Sequence, residues 1–133
     1  MRITLGAEVS MDIINRWIVE VNKEFGLSDK NALSSEYFAQ IKDICIFILE
    51  RDWYAVLMPS VDMWGKREMH IMSYYIRKES RNIRLFLMIQ KKFEELARAF
   101  DCEVLLQGSH LGDRLFSYLE RNGYKVAVMR KEL

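Results

Sequence analysis

Three arginines and an asparagine, Arg77, Arg81, Arg84 and Asn82, crowd the stretch YYIRKESRNIRLFLM, residues 74–88. They stand where an apolar, β-prone segment gives way to a long amphipathic pattern. A phosphate-binding turn would spend glycines there, so that main-chain N–H groups at a helix entrance can approach the anion. Guanidinium groups offer another route, because their forked donors match phosphate geometry. Cations at a helix N-terminus oppose the helix dipole. Several together therefore ask for an anion, either a ligand phosphate or a partner's carboxylates; the plainer reading is a solvated helix entrance.

Other reactive residues give less. Ser109-His110 places a nucleophile beside an imidazole, but no third member orients the pair, so the signal is very weak. Cys45 and Cys102 are far apart, each following an apolar run, which suits small core residues in a reducing compartment. No C-x-x-C or H-x-x-x-H spacing occurs, and His70 and His110 are forty positions apart, so no metal site is expected.

The elements that must position these residues are legible in the apolar pattern. Arg2 to Leu5 is a short β-prone opening. Ser10 is a helix cap, followed by Ile14, Trp17/Ile18, Val21 and Phe25 at helical spacing, with Gly26 as the stop. After the polar loop LSDKNALS comes a short helix over residues 34–41. Residues 43–49, DICIFIL, read as a strand buried on both faces. The triplet Glu50-Arg51-Asp52 is a turn, WYAVLM (53–58) the next strand, and Pro59, the only proline, its close.

Beyond the loop SVDMWGKRE a strand covers 69–76. The strongest helix starts near Asn82, with Leu85/Phe86, Ile89, Phe93, Leu96/Ala97 and Phe100 on its apolar stripe. Gln90, Lys91, Lys92, Glu94, Glu95 and Arg98 lie opposite, and Glu94 and Arg98 form an i,i+4 pair. EVLLQ (103–107) is a strand, 111–122 a helix with Leu111, Leu115 and Leu119 inward, and YKVAVM (124–129) a closing strand. The order β-α-α-β-β-β-α-β-α-β predicts one α/β or α+β domain, its three consecutive strands an antiparallel meander.

Length and composition agree. The 133 residues are 50% apolar and 29% charged, enough for a globular core in a single domain. Twenty basic and nineteen acidic residues leave a net charge of +1, too little for a field that attracts nucleic acid or anionic membrane. No run approaches the roughly 20 apolar residues of a membrane span. MRITLGAEVS lacks the apolar core of a signal peptide, so the expected location is cytoplasmic.

This order and several local words resemble the GNAT (GCN5-related) N-acetyltransferases. Residues 75–81, YIRKESR, parallel the family's junction of aromatic-Val-x-Pro-x-x-Arg/Gln that precedes Gly-x-Gly/Ala and opens a long helix. ELARAFDCEVLL (95–106) resembles the end of that helix and the next strand. YLERNGYKV (118–126) resembles the last helix and strand. The pattern covers residues 69–133; the first sixty agree in element order.

The resemblance implies an α/β (α+β) fold across residues 1–133, a mixed, mostly antiparallel sheet flanked by helices. It also implies acetyl-CoA as co-substrate and an amine as acceptor. Tyr75, Ile76, Arg81, Asn82, Ile83 and Arg84 would form the diphosphate-binding junction. Arg84 and Phe86 stand in the two glycine positions, where Arg84 can substitute a side-chain clamp and Phe86 cannot.

The family's carboxylate base on the fourth strand falls on His70, with Glu68 two residues earlier on the same face. Its tyrosine acid falls on Leu119, and the neighbouring Tyr118 is rotated about 100° around the helix. Two readings follow: an acetyl-CoA-dependent N-acetyltransferase using His70 or Glu68 as base, or a GNAT fold that keeps shape without chemistry and binds a protein partner, with an oligomer also open. Small, substitution-rich chains of this type resemble those encoded by bacteriophages. Another phosphate-bearing ligand, such as a longer acyl-CoA, is a third reading.

Overall fold

A computed structural model describes residues 2–27, 32–107, 113–125 and 133. In chain order these form strand β1 (Ile3–Leu5), helices α1 (Met11–Glu24) and α2 (Ser35–Ile41), strands β2 (Ile46–Leu49), β3 (Trp53–Val61) and β4 (Arg67–Ile76), helix α3 (Ile83–Ala99), strand β5 (Val104–Gln107) and helix α4 (Asp113–Arg121). The sheet order is β1-β2-β3-β4-β5. Strands β1 to β4 pair antiparallel, and β4 pairs parallel with β5 through the α3 crossover. The meander and the mixed sheet are as the sequence predicts. Of the closing strand YKVAVM, residues 126–129 lie outside the described residues, as do Ser109, His110, Leu111 and residues 28–31 of the polar loop.

Local signals set the helix limits. The Ser10 hydroxyl accepts from Ile13 N and caps α1, and Gly26 ends it with φ of 61°, a left-handed conformation that costs glycine little. Ser34 caps α2, accepting from Tyr37 N at 3.1 Å. Residues 42–44 form a single 3-10 turn, so the strand read from residue 43 begins only at Ile46.

Two hydrophobic layers sandwich the sheet. Ile14, Ile18 and Val21 of α1 and Phe38 of α2 pack on Phe47, Tyr54, Val56 and Tyr75. Ile89, Phe93, Leu96 and Ala97 of α3 pack on Ile46, Ile48, Ala55, Leu57 and Met69. Neighbouring residues of β2 thus serve opposite layers, which is why its sequence shows no polar alternation.

Three expectations need correction. Pro59 does not close β3; it pairs with Met69 well inside the strand. Pairing with β2 stops at Leu57, so Pro59 sits where β3 has become an edge, and a missing N–H is tolerated there. Ser60, Val61, Arg67 and Glu68 are therefore strand, and the loop shrinks to residues 62–66, held by Asp62 Oδ1 accepting from Trp64 N and Lys66 N at 2.9 and 2.8 Å. Gln90 is buried at 6% exposure rather than solvated. Among the described residues the ion pair on the outer face of α3 joins Lys92 to Glu95 at 3.7 Å, not Glu94 to Arg98.

Gly6 carries a prediction. Its N–H donates to Cys45 O at 2.8 Å, and a Cβ there would lie 1.6 Å from the Lys42 carbonyl oxygen. Gly6→Ala must push apart the two 3-10 turns that seat β1 on β2. A loss of about 1–3 kcal/mol is expected from overpacking, read as a lower urea midpoint.

Candidate functional site

The sheet opens between its two parallel strands. Pairing of β4 with β5 runs from Glu68–Val104 to Ile71–Gln107. One residue later β4 bulges: Val56 pairs with Ser73 and Leu57 with Ile71, leaving Met72 without a partner on β3. A bulge bends the strand and increases its twist. From Met72 to Ile76 β4 has no β5 partner among the described residues. The resulting notch lies at the carboxyl ends of two parallel strands, where open sheets take ligands.

His70 and Glu68 stand on β4 just before the notch, on the face that bears α1 and α2. His70 Nε2 lies 3.2 Å from Glu68 Oε2, with side-chain exposures of 31% and 18%. Alternation along the strand puts residues two apart on one face, so the contact is built into the sequence spacing. A carboxylate at this distance favours a proton on Nε2, which leaves Nδ1 as the basic nitrogen. The pair can accept a proton and stabilise the imidazolium that forms.

Beyond Ile76 the chain makes a 3-10 turn (Lys78–Ser80) and enters α3. Asn82 is the N-cap: its Oδ1 accepts from Leu85 N at 2.8 Å, and its carbonyl accepts from Phe86 N at 3.1 Å. Of the four N–H groups that a helix start leaves open, those of Ile83 and Arg84 have no acceptor among the described residues. The exposed Arg84 guanidinium has no ion pair among them either. Two main-chain donors and one guanidinium fit a phosphate group, in a reduced version of the glycine-built turn. Asn82→Ala should cost about 1 kcal/mol through the lost cap, read by thermal unfolding.

The other two arginines are already answered from within the chain. Arg77 Nε donates to Glu20 Oε1 at 3.0 Å, its guanidinium 4.8 Å from the Trp17 ring. Arg81 donates to Glu24 and, through Nε, to the Ile76 carbonyl at 2.8 Å, and lies over the rings of Phe25 and Tyr75. Tyr75 is buried among these aromatics. That burial, with Glu24 and Glu20 nearby, pushes its phenol up to about 12, so it stays neutral. The six junction residues named from the sequence are thus together, but Tyr75, Ile76, Arg81 and Asn82 are spent on structure.

Glu20 and Glu24 were missed. Their signal was a matched spacing: two carboxylates four apart on α1 against two arginines four apart at the junction.

Tyr118 is half-buried on α4, and its ring meets Phe86 edge-on at a centroid distance of 5.1 Å. Leu119, in the place of the family's tyrosine, is buried. Phe86 of α3 and Tyr118 of α4 thus pack on one another.

A second missed group lies at the end of β5. Gln90 and Gln107 exchange amide hydrogen bonds of 3.0 and 2.9 Å, and Gln107 Nε2 also donates to the Tyr124 hydroxyl at 3.4 Å. Tyr74 belongs to the same surroundings: burial pushes its phenol up to about 12, while a hydrogen bond with Gln90 pulls the other way. Gln90 could have been found, since Phe86, Gln90, Phe93 and Ala97 follow the 4-3-4 spacing of a helix stripe.

Among the described residues no group of three or more metal-ligating side chains occurs, and no helix is long and apolar enough to cross a membrane.

No protein-family model matches the chain, and no curated protein matches it in sequence. Solved structures match it in shape over nearly its whole length. An aminoglycoside acetyltransferase from an uncultured soil metagenomic sample is 13% identical, with 99% of this chain and 95% of that one covered and a TM-score of 0.64. Glucosamine-6-phosphate N-acetyltransferase from Arabidopsis thaliana is 10% identical, with 99% and 97% covered and a TM-score of 0.62. An acetyltransferase of Trypanosoma brucei is 15% identical, with 99% and 96% covered and a TM-score of 0.61. At such identities the likeness concerns the fold, and that fold is the GNAT acetyltransferase fold.

Proposed function

We propose that this GNAT-fold chain is an acetyl-CoA-dependent N-acetyltransferase acting on an amine acceptor. The observation that carries the reading is the Glu68–His70 contact of 3.2 Å, on the strand that borders the notch. Acetyl-CoA would supply an activated thioester carbonyl. His70 Nδ1 takes the proton that the acceptor amine gives up on attack, and Glu68 holds the ring and balances the imidazolium. Arg84, with the N–H groups of Ile83 and Arg84, holds the diphosphate, and Arg81 serves mainly to fix the junction against α1. A thiol is a good leaving group near neutral pH, its pKa about 8.5 by analogy with cysteine. The reaction therefore tolerates a Tyr118 that is packed on Phe86 rather than aimed as an acid. Much of the acceleration would come from orientation of the amine. A reducing, cytoplasmic setting suits Cys45, whose thiol burial pushes up to about 11.

One observation favours a second reading, a binding protein without catalysis: the Arg81 guanidinium is occupied by Glu24. Titration calorimetry with acetyl-CoA and CoA separates the two. Binding is expected, weakened about tenfold by Arg84→Ala, the loss of one charge-assisted contact. Ligand at 100 times its dissociation constant should also stabilise the fold by roughly 2.7 kcal/mol. Absence of heat and of a thermal shift at millimolar ligand would exclude the enzyme.

A further inference from the structure

A cleft of about 480 Å³ opens at the β1 edge of the sheet, between the strands and α1. Its walls follow from the topology. The start of β1, the β2–β3 turn and the end of β4 lie side by side at one end of an antiparallel meander, with strands about 4.8 Å apart. This gathers Arg2, Arg51 and Arg77, and α1 adds Arg16 and Trp17 from above.

The charges are unevenly answered. Arg77 is paired with Glu20. Glu50 accepts the main-chain N–H of Arg2 at 3.0 Å. The guanidinium groups of Arg2, Arg16 and Arg51 donate to no acceptor and join no ion pair among the described residues. Counting all lining charges, four arginines face three glutamates, Glu8, Glu20 and Glu50, an excess of one positive charge. The remaining wall is Thr4 and the apolar residues Val9, Ile13, Trp17 and Leu49. A volume in the small-ligand range, an apolar wall and a few convergent polar groups are the features of a binding pocket.

We propose that this cleft binds a small organic anion, a phosphate ester or carboxylate whose acidic group is held by Arg2, Arg16 and Arg51 and whose apolar part lies against Val9, Trp17 and Leu49. The lining shares no residue with the Glu68–His70 pair or with Ile83 and Arg84, so the site stands apart from the acyl-transfer reading. The ligand carries one or two negative charges, of which the local excess neutralises one. Guanidinium supplies forked donors to either acid.

Phenyl phosphate, inorganic phosphate and benzoate, titrated into the whole chain and followed by backbone amide shifts, test it. Phenyl phosphate should bind more tightly than inorganic phosphate because only it uses the apolar wall, and its affinity relative to benzoate assigns the acid. Shifts should centre on Arg16, Trp17 and Arg51. The double variant Arg16→Ala, Arg51→Ala should weaken phenyl phosphate binding at the cleft at least about tenfold, while Lys91→Ala, at an exposed position of α3, leaves it unchanged. Unchanged amide spectra of the double variant outside the cleft establish that it is folded. Equal affinity in the double variant, shifts centred on Ile83 and Arg84 instead, or no shift with any probe at millimolar concentration would each overturn the proposal. Shifts at Arg16, Trp17 and Arg51, and their loss in the double variant, are read without acetyl-CoA and so test the cleft separately from the acyl-transfer reading.

Discussion

Glutamine in place of His70 is expected to lower the rate of acetyl transfer about 10²- to 10⁴-fold, the range that a positioned general base supplies. The side chains are close in length, and the glutamine amide N–H can still face Glu68 Oε2, so the local packing survives. What is lost is a nitrogen lone pair able to take a proton. Affinity for CoA should stay as it is, because the residues proposed to hold the diphosphate are on α3, not β4. Single-turnover rates alongside CoA titration check both halves. Glu68→Gln should cost less, since the imidazole remains and only its counter-charge goes. If His70→Gln turns over like the unaltered protein, the base is Glu68 or water, and His70 is packing alone.

Phe93→Ala should cost about 3–5 kcal/mol, as truncations of fully buried aromatic residues do. Phe93 is 0% exposed in the layer between α3 and the sheet, and meets Tyr74 edge-on at 5.5 Å. Its removal takes away the aromatic contact as well as the buried area. Urea unfolding should show the midpoint fall with little change in slope. A loss below about 0.5 kcal/mol, the level of a surface change, would mean that α3 does not rest on this face. Because Tyr74 lies on the end of β4 that has no β5 partner among the described residues and near Gln90, the variant should also loosen the notch, visible as faster amide exchange at residues 73–76.

Much of the scaffold could be read from the chain because single residues announce it. Ser10, Ser34, Asn82 and Gly26 mark helix ends by chemistry that works locally. The unbroken apolar run at Ile46–Leu49 signals a strand covered on both sides. The misreadings came where the deciding fact is far away in sequence. Pro59 is tolerated inside β3 only because β2 is too short to reach it. Gln90 is buried only because Gln107, seventeen residues on, satisfies its amide. The arginine cluster asked for a ligand's phosphate or a partner's carboxylates, whereas Arg77 and Arg81 are answered by Glu20 and Glu24 of α1, nearly sixty residues earlier in the same chain. The proposed catalytic pair was open to reading only through the resemblance, since a strand histidine two residues from a glutamate is otherwise unremarkable.

The Phe86–Tyr118 contact bears on how this chain can change. Glycine at position 86 would open room at the helix entrance, yet it would also strip the ring of Tyr118 of its neighbour across the α3–α4 seam. Positions 86 and 118 are therefore coupled across that seam: a change at one alters the packing of the other, so their effects on stability should not simply add.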